Sequence, residues 1–268
     1  MQTSIRRSLV ALAAVAFSIG ALGCSTPKNP SFDLTLRDAR EELDAMRQDP
    51  KPLERPLVVL SGYGDPGVAA RYLRGKFELV IEDERIVHHA PAGCDSFDDC
   101  RSELIEVVEA ALDEWGMTLE DTEVDIVANS MGGLVAAYAA APVEGEPRLR
   151  VRRLFAISSP YLGAKAARLP AIGDMQVDMR PGSEFIGRLA GLMAERDYEL
   201  YPYVRLGDTW VGAGNTAPEG DVAWWMSNAP FEAAHMTAFT DPRIRADVSR
   251  RLRGEAAYGT EPRAPLPE

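Results

Sequence analysis

The sequence predicts an α/β fold, with a mostly parallel central sheet flanked by helices. Three observations carry that expectation. Short apolar runs rich in branched residues recur at 57–60, 124–127 and 154–157, and each reads as a buried strand. Between and after them lie stretches with apolar residues at helical spacing: Leu104, Ile105, Val108, Ala111, Leu112 and Trp115, then Ile244, Val248 and Leu252. Strand alternating with helix is the pattern of a parallel sheet. The third observation is size: of the 268 residues, those from Pro56 onward suit one domain with a complete core, with no internal repeat or low-complexity tract.

Taken in order, the chain opens with Arg6 and Arg7, followed by an uncharged, mostly apolar stretch up to Cys24. That reads as a secretory signal over 1–23 rather than a spanning helix, which needs about twenty apolar residues. Ala21-Leu22-Gly23-Cys24 resembles a bacterial lipobox, in which Cys24 becomes the lipidated N-terminus. The expectation is an exported protein of a bacterial cell envelope, held to a membrane through Cys24 and facing the periplasm or the exterior. Residues 24–30 read as a polar tether. Within 31–55, Phe32, Leu36, Ala39, Leu43 and Met46 form a helical stripe that should dock on the body, and Asp49-Pro50-Lys51-Pro52 ends that helix.

The catalytic body is expected over 56–255. Leu57 to Leu60 form a strand running into the glycine-bracketed turn Ser61-Gly62-Tyr63-Gly64, where backbone NH groups can point into a site. Residues 85–89 form a strand ending in His88 and His89, which are expected to be structural or surface groups. Cys94 and Cys100 flank a five-residue loop that a disulfide would close, a pairing favoured outside the reducing cytosol. A metal site is the rival reading, weak because only His88 and His89 lie near. Residues 164–200 are long enough for a small cap or lid, with a plain connecting helix as the other reading. Residues 256–268 are expected to be a disordered tail.

One segment carries the chemistry. Val124-Asp125-Ile126-Val127-Ala128-Asn129-Ser130-Met131-Gly132-Gly133 reads as a strand, a tight connection over 129–133, and a helix from Leu134. Ala128 and Gly132 bracket Ser130 with small residues, which lets strand, turn and helix approach closely enough to push the hydroxyl outward. Ser130 also lies near a helix N-terminus, whose free NH groups favour an anionic intermediate. This segment resembles the nucleophile elbow of the α/β hydrolases, in the Ala-x-Ser-x-Gly form of small bacterial lipases and esterases.

The resemblance implies the rest of a site. Chain order in that family is serine, acid, histidine, so His235 would be the base and Ser130 the nucleophile. Asp208, after the strand-like stretch beginning at Tyr201, would be the acid, with Asp174, Asp178 and Asp221 as competitors; Asp125 lies inside a strand and cannot reach the exposed edge. The backbone NH groups of Tyr63 and Met131 would form the oxyanion hole. Many relatives have His where this chain has Ser61 and Asn129, which alters pocket shape without removing a catalytic group. Two further pieces extend the likeness: Ser158-Ser159-Pro160-Tyr161-Leu162-Gly163 after a strand, and Met179-Arg180-Pro181-Gly182-Ser183-Glu184-Phe185. The resemblance covers roughly 56–252.

The resemblance implies a serine hydrolase acting on a small-molecule or lipid ester, without a cofactor. No phosphate-binding glycine loop or metal motif is present. The formal charge is −12, and removing Arg6 and Arg7 with the signal makes the chain still more acidic, which argues against nucleic acid or anionic lipid as partners. Tyr161, Met175, Met179, Phe185, Trp210, Trp224, Trp225 and Met236 are candidates for an acyl pocket, or equally for core. An acyltransferase or phospholipase on the same fold, and a non-catalytic envelope binding module, are the competing readings.

Overall fold

The computed structural model describes residues 27–91, 93–170, 173–229 and 231–263. Six strands, β1 (Leu57–Leu60), β2 (Ile86–His89), β3 (Glu123–Asn129), β4 (Arg150–Ile157), β5 (Glu199–Arg205) and β6 (Trp224–Met226), form one sheet in the order β2-β1-β3-β4-β5-β6. Every neighbouring pair is parallel. Each connection must therefore return from the carboxyl edge to the opposite one, and helices supply most of these crossovers.

Successive side chains on a strand face opposite ways, which divides the core in two. Val58, Leu60, Ile126, Ala128, Leu154 and Ala156 join the layer of α3 (Phe97–Glu114), α4 (Met131–Ala140) and α6 (Glu184–Met193). Leu57, Val59, Val127, Phe155, Ile157 and Tyr203 join the layer of α1 (Leu36–Gln48), α2 (Val68–Phe77) and α8 (Pro242–Leu252). With both faces covered, the central strands can be apolar throughout. Helix α4 is buried along its whole length, so it carries small and apolar residues with no polar face.

The winding reverses beside β1: β2 lies on one side of it and all later strands on the other. Adjacent loops diverge at such a reversal and leave a crevice at the carboxyl edge. The loop after β1 and the turn after β3 meet there.

The N-terminal stripe forms α1, capped by reciprocal bonds between Thr35 and Asp38, and it buries Ala39, Leu43 and Met46 against the body beside α8. The tether expected at 24–30 is docked from Lys28, whose carbonyl accepts from the Ser227 NH at 3.1 Å and from Arg243 at 2.8 Å. Cys24 and the signal at 1–23 lie outside the described residues. Over 256–263 the expected tail returns to the body instead of leaving it. Tyr258 stacks on Phe32 at 5.2 Å, because an aromatic ring in a polar segment has apolar area to bury.

Residues 164–200 hold a 3-10 turn (Lys165–Arg168), a short α5 (Asp174–Asp178) and α6. Phe185 of α6 stacks on Phe97 at 3.8 Å, so α6 is the connecting helix of the β4–β5 crossover. The two lipase-like stretches quoted above meet here: the Ala164 NH donates to the Met179 carbonyl at 2.8 Å, and a Cβ on Gly163 would lie 2.4 Å from the Pro181 nitrogen. Among the described residues no helix is long and apolar enough to cross a membrane.

Cys94 and Cys100 are joined by a disulfide with Cα atoms 5.2 Å apart, which fixes the loop before α3 to its first turn. So small a ring removes little chain entropy. Replacing both cysteines by serine should lower the unfolding free energy by about 2 kcal/mol. Equilibrium denaturation checks this, and an unchanged midpoint would show that the bridge does not constrain the unfolded chain.

Candidate active site

Strand β3 ends at Asn129 and α4 begins at Met131, so Ser130 alone makes the turn that the sequence spreads over 129–133. Met131, Gly132 and Gly133 are already helical. Ser130 sits at φ 53°, ψ −126°, a conformation that strains an L-residue by about 1–3 kcal/mol. Surrounding contacts hold it there. A Cβ on Gly132 would lie 2.4 Å from the Ser61 carbonyl oxygen, and one on Gly133 would lie 2.1 Å from Ser159 Oγ. The Ser130 NH donates to the Ile157 carbonyl at 2.7 Å, tying the turn to the end of β4.

His235 reaches this hydroxyl across 105 residues of sequence, its Nε2 lying 3.1 Å from Ser130 Oγ. It stands on a one-turn helix, α7 (Ala234–Thr237). Its Nδ1 lies 2.9 Å from Asp208 Oδ2. That bond makes Nδ1 the protonated nitrogen and leaves the Nε2 lone pair facing Ser130. The other carboxylate oxygen of Asp208 accepts from the NH groups of Trp210 and Val211, each at 3.0 Å, so both oxygens are fixed. Burial acts to raise the Asp208 carboxyl, but the hydrogen bond and charge of His235, with the Val211 NH, outweigh it and hold it below the ordinary aspartate value.

The competitors stand elsewhere. Asp221 pairs with Arg196 at 2.8 Å, Asp174 and Asp178 lie on α5, and Asp125 is bound to Arg153 inside the sheet. His88 contacts Arg74 at 3.1 Å on the far side of the sheet order, and His89 is buried beneath α3 near Glu103. Among the described residues no three His, Cys, Asp or Glu side chains gather into a metal-ligating cluster.

The loop after β1 backs directly onto the serine. A Cβ on Gly62 would lie 2.8 Å from Ser130 Cβ and 3.4 Å from its Oγ, which explains a glycine immediately before Tyr63. Ser61 turns inward and accepts from the Ala70 NH at 3.0 Å, capping the first turn of α2. Among the described residues, no protein acceptor takes the backbone NH of Tyr63 or of Met131. Tyr63 follows the glycine packed on Ser130, and Met131 follows Ser130 itself.

Two contacts escape the sequence reading, which names Trp210 only as an acyl-pocket candidate. Trp210 stacks parallel to the His235 ring, with centroids 5.7 Å apart and planes 4° apart, while remaining half exposed. Arg205, buried at the end of β5, donates to Thr237 Oγ1 at 2.5 Å, pairs with Glu232, and lies 3.4 Å from Asp241. It clasps the His235 segment at both ends, three residues before Asp208. The signal available was an arginine ending the uncharged run Leu200 to Val204. Of the acyl-pocket candidates, Tyr161, Met175, Met179, Phe185, Trp224 and Trp225 are core, whereas Trp210 and Met236 border the site.

No family model and no curated protein matches the chain. Solved structures do. It is similar to a gene product of Listeria innocua, with a TM-score of 0.54 at 15% identity over 76% of this chain and 95% of that one. A lipase-esterase related protein from Clostridium acetobutylicum gives a TM-score of 0.44 at 11% identity, covering 74% and 95% of the two chains. A phospholipase from Legionella pneumophila gives 0.43 at 14% identity over 60% of this chain. The chain spans 42% of that phospholipase's length. The fold is the α/β-hydrolase fold.

Two expected outcomes follow from the geometry. Gly62→Ala should push the serine out of line and lower labelling by a fluorophosphonate on the order of a hundredfold, with unchanged circular dichroism. Full labelling would show that the loop yields. Asp208 behaves as a depressed acid: it stabilises the fold above the ordinary value of 3.8, and that stability is lost as pH falls through the lower folded value. The stability advantage of wild type over Asp208→Asn should therefore shrink below about pH 4 in chemical denaturation, and an advantage constant down to about pH 2 would contradict the assignment.

Proposed function

We propose that this protein is a serine hydrolase that cleaves carboxylic esters through an acyl-enzyme on Ser130. The observation that carries the reading is the ordered chain from Ser130 Oγ to His235 to Asp208, with spacings of 3.1 and 2.9 Å. His235 Nε2 takes the serine proton as Oγ attacks the ester carbonyl. Asp208 keeps Nδ1 protonated and stabilises the imidazolium that forms. The negative charge that develops on the carbonyl oxygen is received by the NH groups of Tyr63 and Met131, aided by the N-terminus of α4. His235 then returns its proton to the departing alcohol, and a water activated by the same nitrogen releases the acid.

The border of the site supports an apolar acyl or alcohol group, since Trp210 and Met236 offer exposed apolar surface beside the imidazole. The mature protein in this reading begins at Cys24, carries acyl chains there, and works in the bacterial cell envelope.

Ser130→Ala should abolish both fluorophosphonate labelling and hydrolysis of a short p-nitrophenyl ester while leaving the melting temperature nearly unchanged. Asp208→Asn should lower kcat by on the order of ten-thousandfold, as loss of the orienting carboxylate does in serine proteases. Labelling that persists without Ser130 would move the nucleophile elsewhere, and a nearly silent Asp208→Asn would remove it from the acid role.

A further inference from the structure

The carboxyl edge of the sheet carries more exposed apolar surface than a soluble rim requires. Tyr63 is 46% exposed, Trp210 54%, Met236 53% and Phe231 fully exposed. Single exposed apolar residues need no explanation, but these four belong to one place. Tyr63 follows the glycine packed on Ser130, Trp210 stacks on His235, Met236 adjoins His235, and Phe231 lies in the segment leading into α7.

Phe231 is the informative member. It holds a left-handed backbone at φ 64°, a strained conformation for an aromatic residue, yet no protein packing offsets the strain. In that conformation the ring points into solvent.

We propose that this rim docks on a neutral or zwitterionic lipid surface, so that the Ser130 hydroxyl faces the bilayer. The position of the chain end argues for that occupant. Lys28 is bound to Ser227, one residue past the carboxyl end of β6, and thus at the same edge as Ser130 and Asp208. It lies four positions after Cys24, a stretch that can span at most about 14 Å. An anchor at Cys24 therefore holds this edge, and not the opposite one, against the membrane. The formal charge of −12 disfavours an anionic surface and leaves apolar area as the attraction. The docking is read from the rim; its orientation rests on the lipid anchor proposed at Cys24, and the hydrolase reading enters only in making the bilayer the source of the ester.

The test uses the full-length protein as purified, mixed with phosphatidylcholine vesicles whose acyl chains are brominated near the headgroup. Trp224 and Trp225 are buried and Trp115 lies at the C-terminal end of α3, toward the opposite edge of the sheet, so quenching of tryptophan emission should be strong in wild type and largely absent in Trp210→Phe. Phe231→Ser should weaken docking about tenfold, read as loss of most of the quenching, with unchanged hydrolysis of a short water-soluble ester. Wild-type emission indifferent to brominated lipid would overturn the proposal. So would a dimer in sedimentation that dissociates in Phe231→Ser, because a second copy would then cover the rim. Quenching without any ester hydrolysis would leave the docking standing and overturn the hydrolase reading alone.

Discussion

The site depends on one tight place, where β3 gives way to α4 through Ser130 alone. Strain at that residue is tolerable only because three neighbouring segments lock it: the Ser61–Gly62 loop from one side, the Ser159 corner from the other, and the Ile157 carbonyl from beneath. The first two approaches are closer than a Cβ permits. The glycines at 62, 132 and 133 are thus a single steric requirement expressed at three positions, and the exposed hydroxyl is its result.

A parallel sheet does the remaining assembly. Because all six strands point the same way, every loop that follows a strand opens on one edge, and residues remote in sequence meet there. Tyr63 follows β1, Ser130 follows β3 and Asp208 follows β5. His235 has no strand of its own directly before it, and Arg205 makes up the difference. By gripping Glu232, Thr237 and Asp241, its buried guanidinium fastens the histidine segment to the strand that also presents the acid. The relative position of base and acid is therefore set by one strand end, independent of the length of the intervening loop.

The parts of this arrangement that were legible in the sequence are those with local signatures. Branched apolar runs marked β1, β3 and β4, the helical stripe of Ala39, Leu43 and Met46 marked α1, and small residues around Ser130 marked the turn. Chain order and the scarcity of histidines led to His235, and a Gly-Asp turn after a strand led to Asp208. What stayed hidden is what only packing decides. Nothing local in 129–133 says that Gly132 and Gly133 are helical, since glycine disfavours helices by propensity and is tolerated here only because neighbours occupy the space of its missing side chain. Arg205 reads as an ordinary strand residue until the His235 segment folds over it. The docking of Lys28 and Tyr258 was likewise invisible, because each depends on a partner about two hundred residues away.

Lys28 also ties the N-terminal segment to the histidine segment. Its carbonyl is held by Arg243, Arg243 is paired with Asp241 at 2.6 Å, and Asp241 faces Arg205 beneath the histidine segment. The N-terminal segment at Lys28 and the place where the imidazole is positioned thus share one buried network of charges. Such a network is unfavourable to break at one member, because the remaining charge would be left in a low-dielectric interior without its partner. The consequence is a rigid relation between Lys28 and the Ser130–His235 edge. Any orientation imposed on the body through its N-terminal segment is transmitted to the site with little slack.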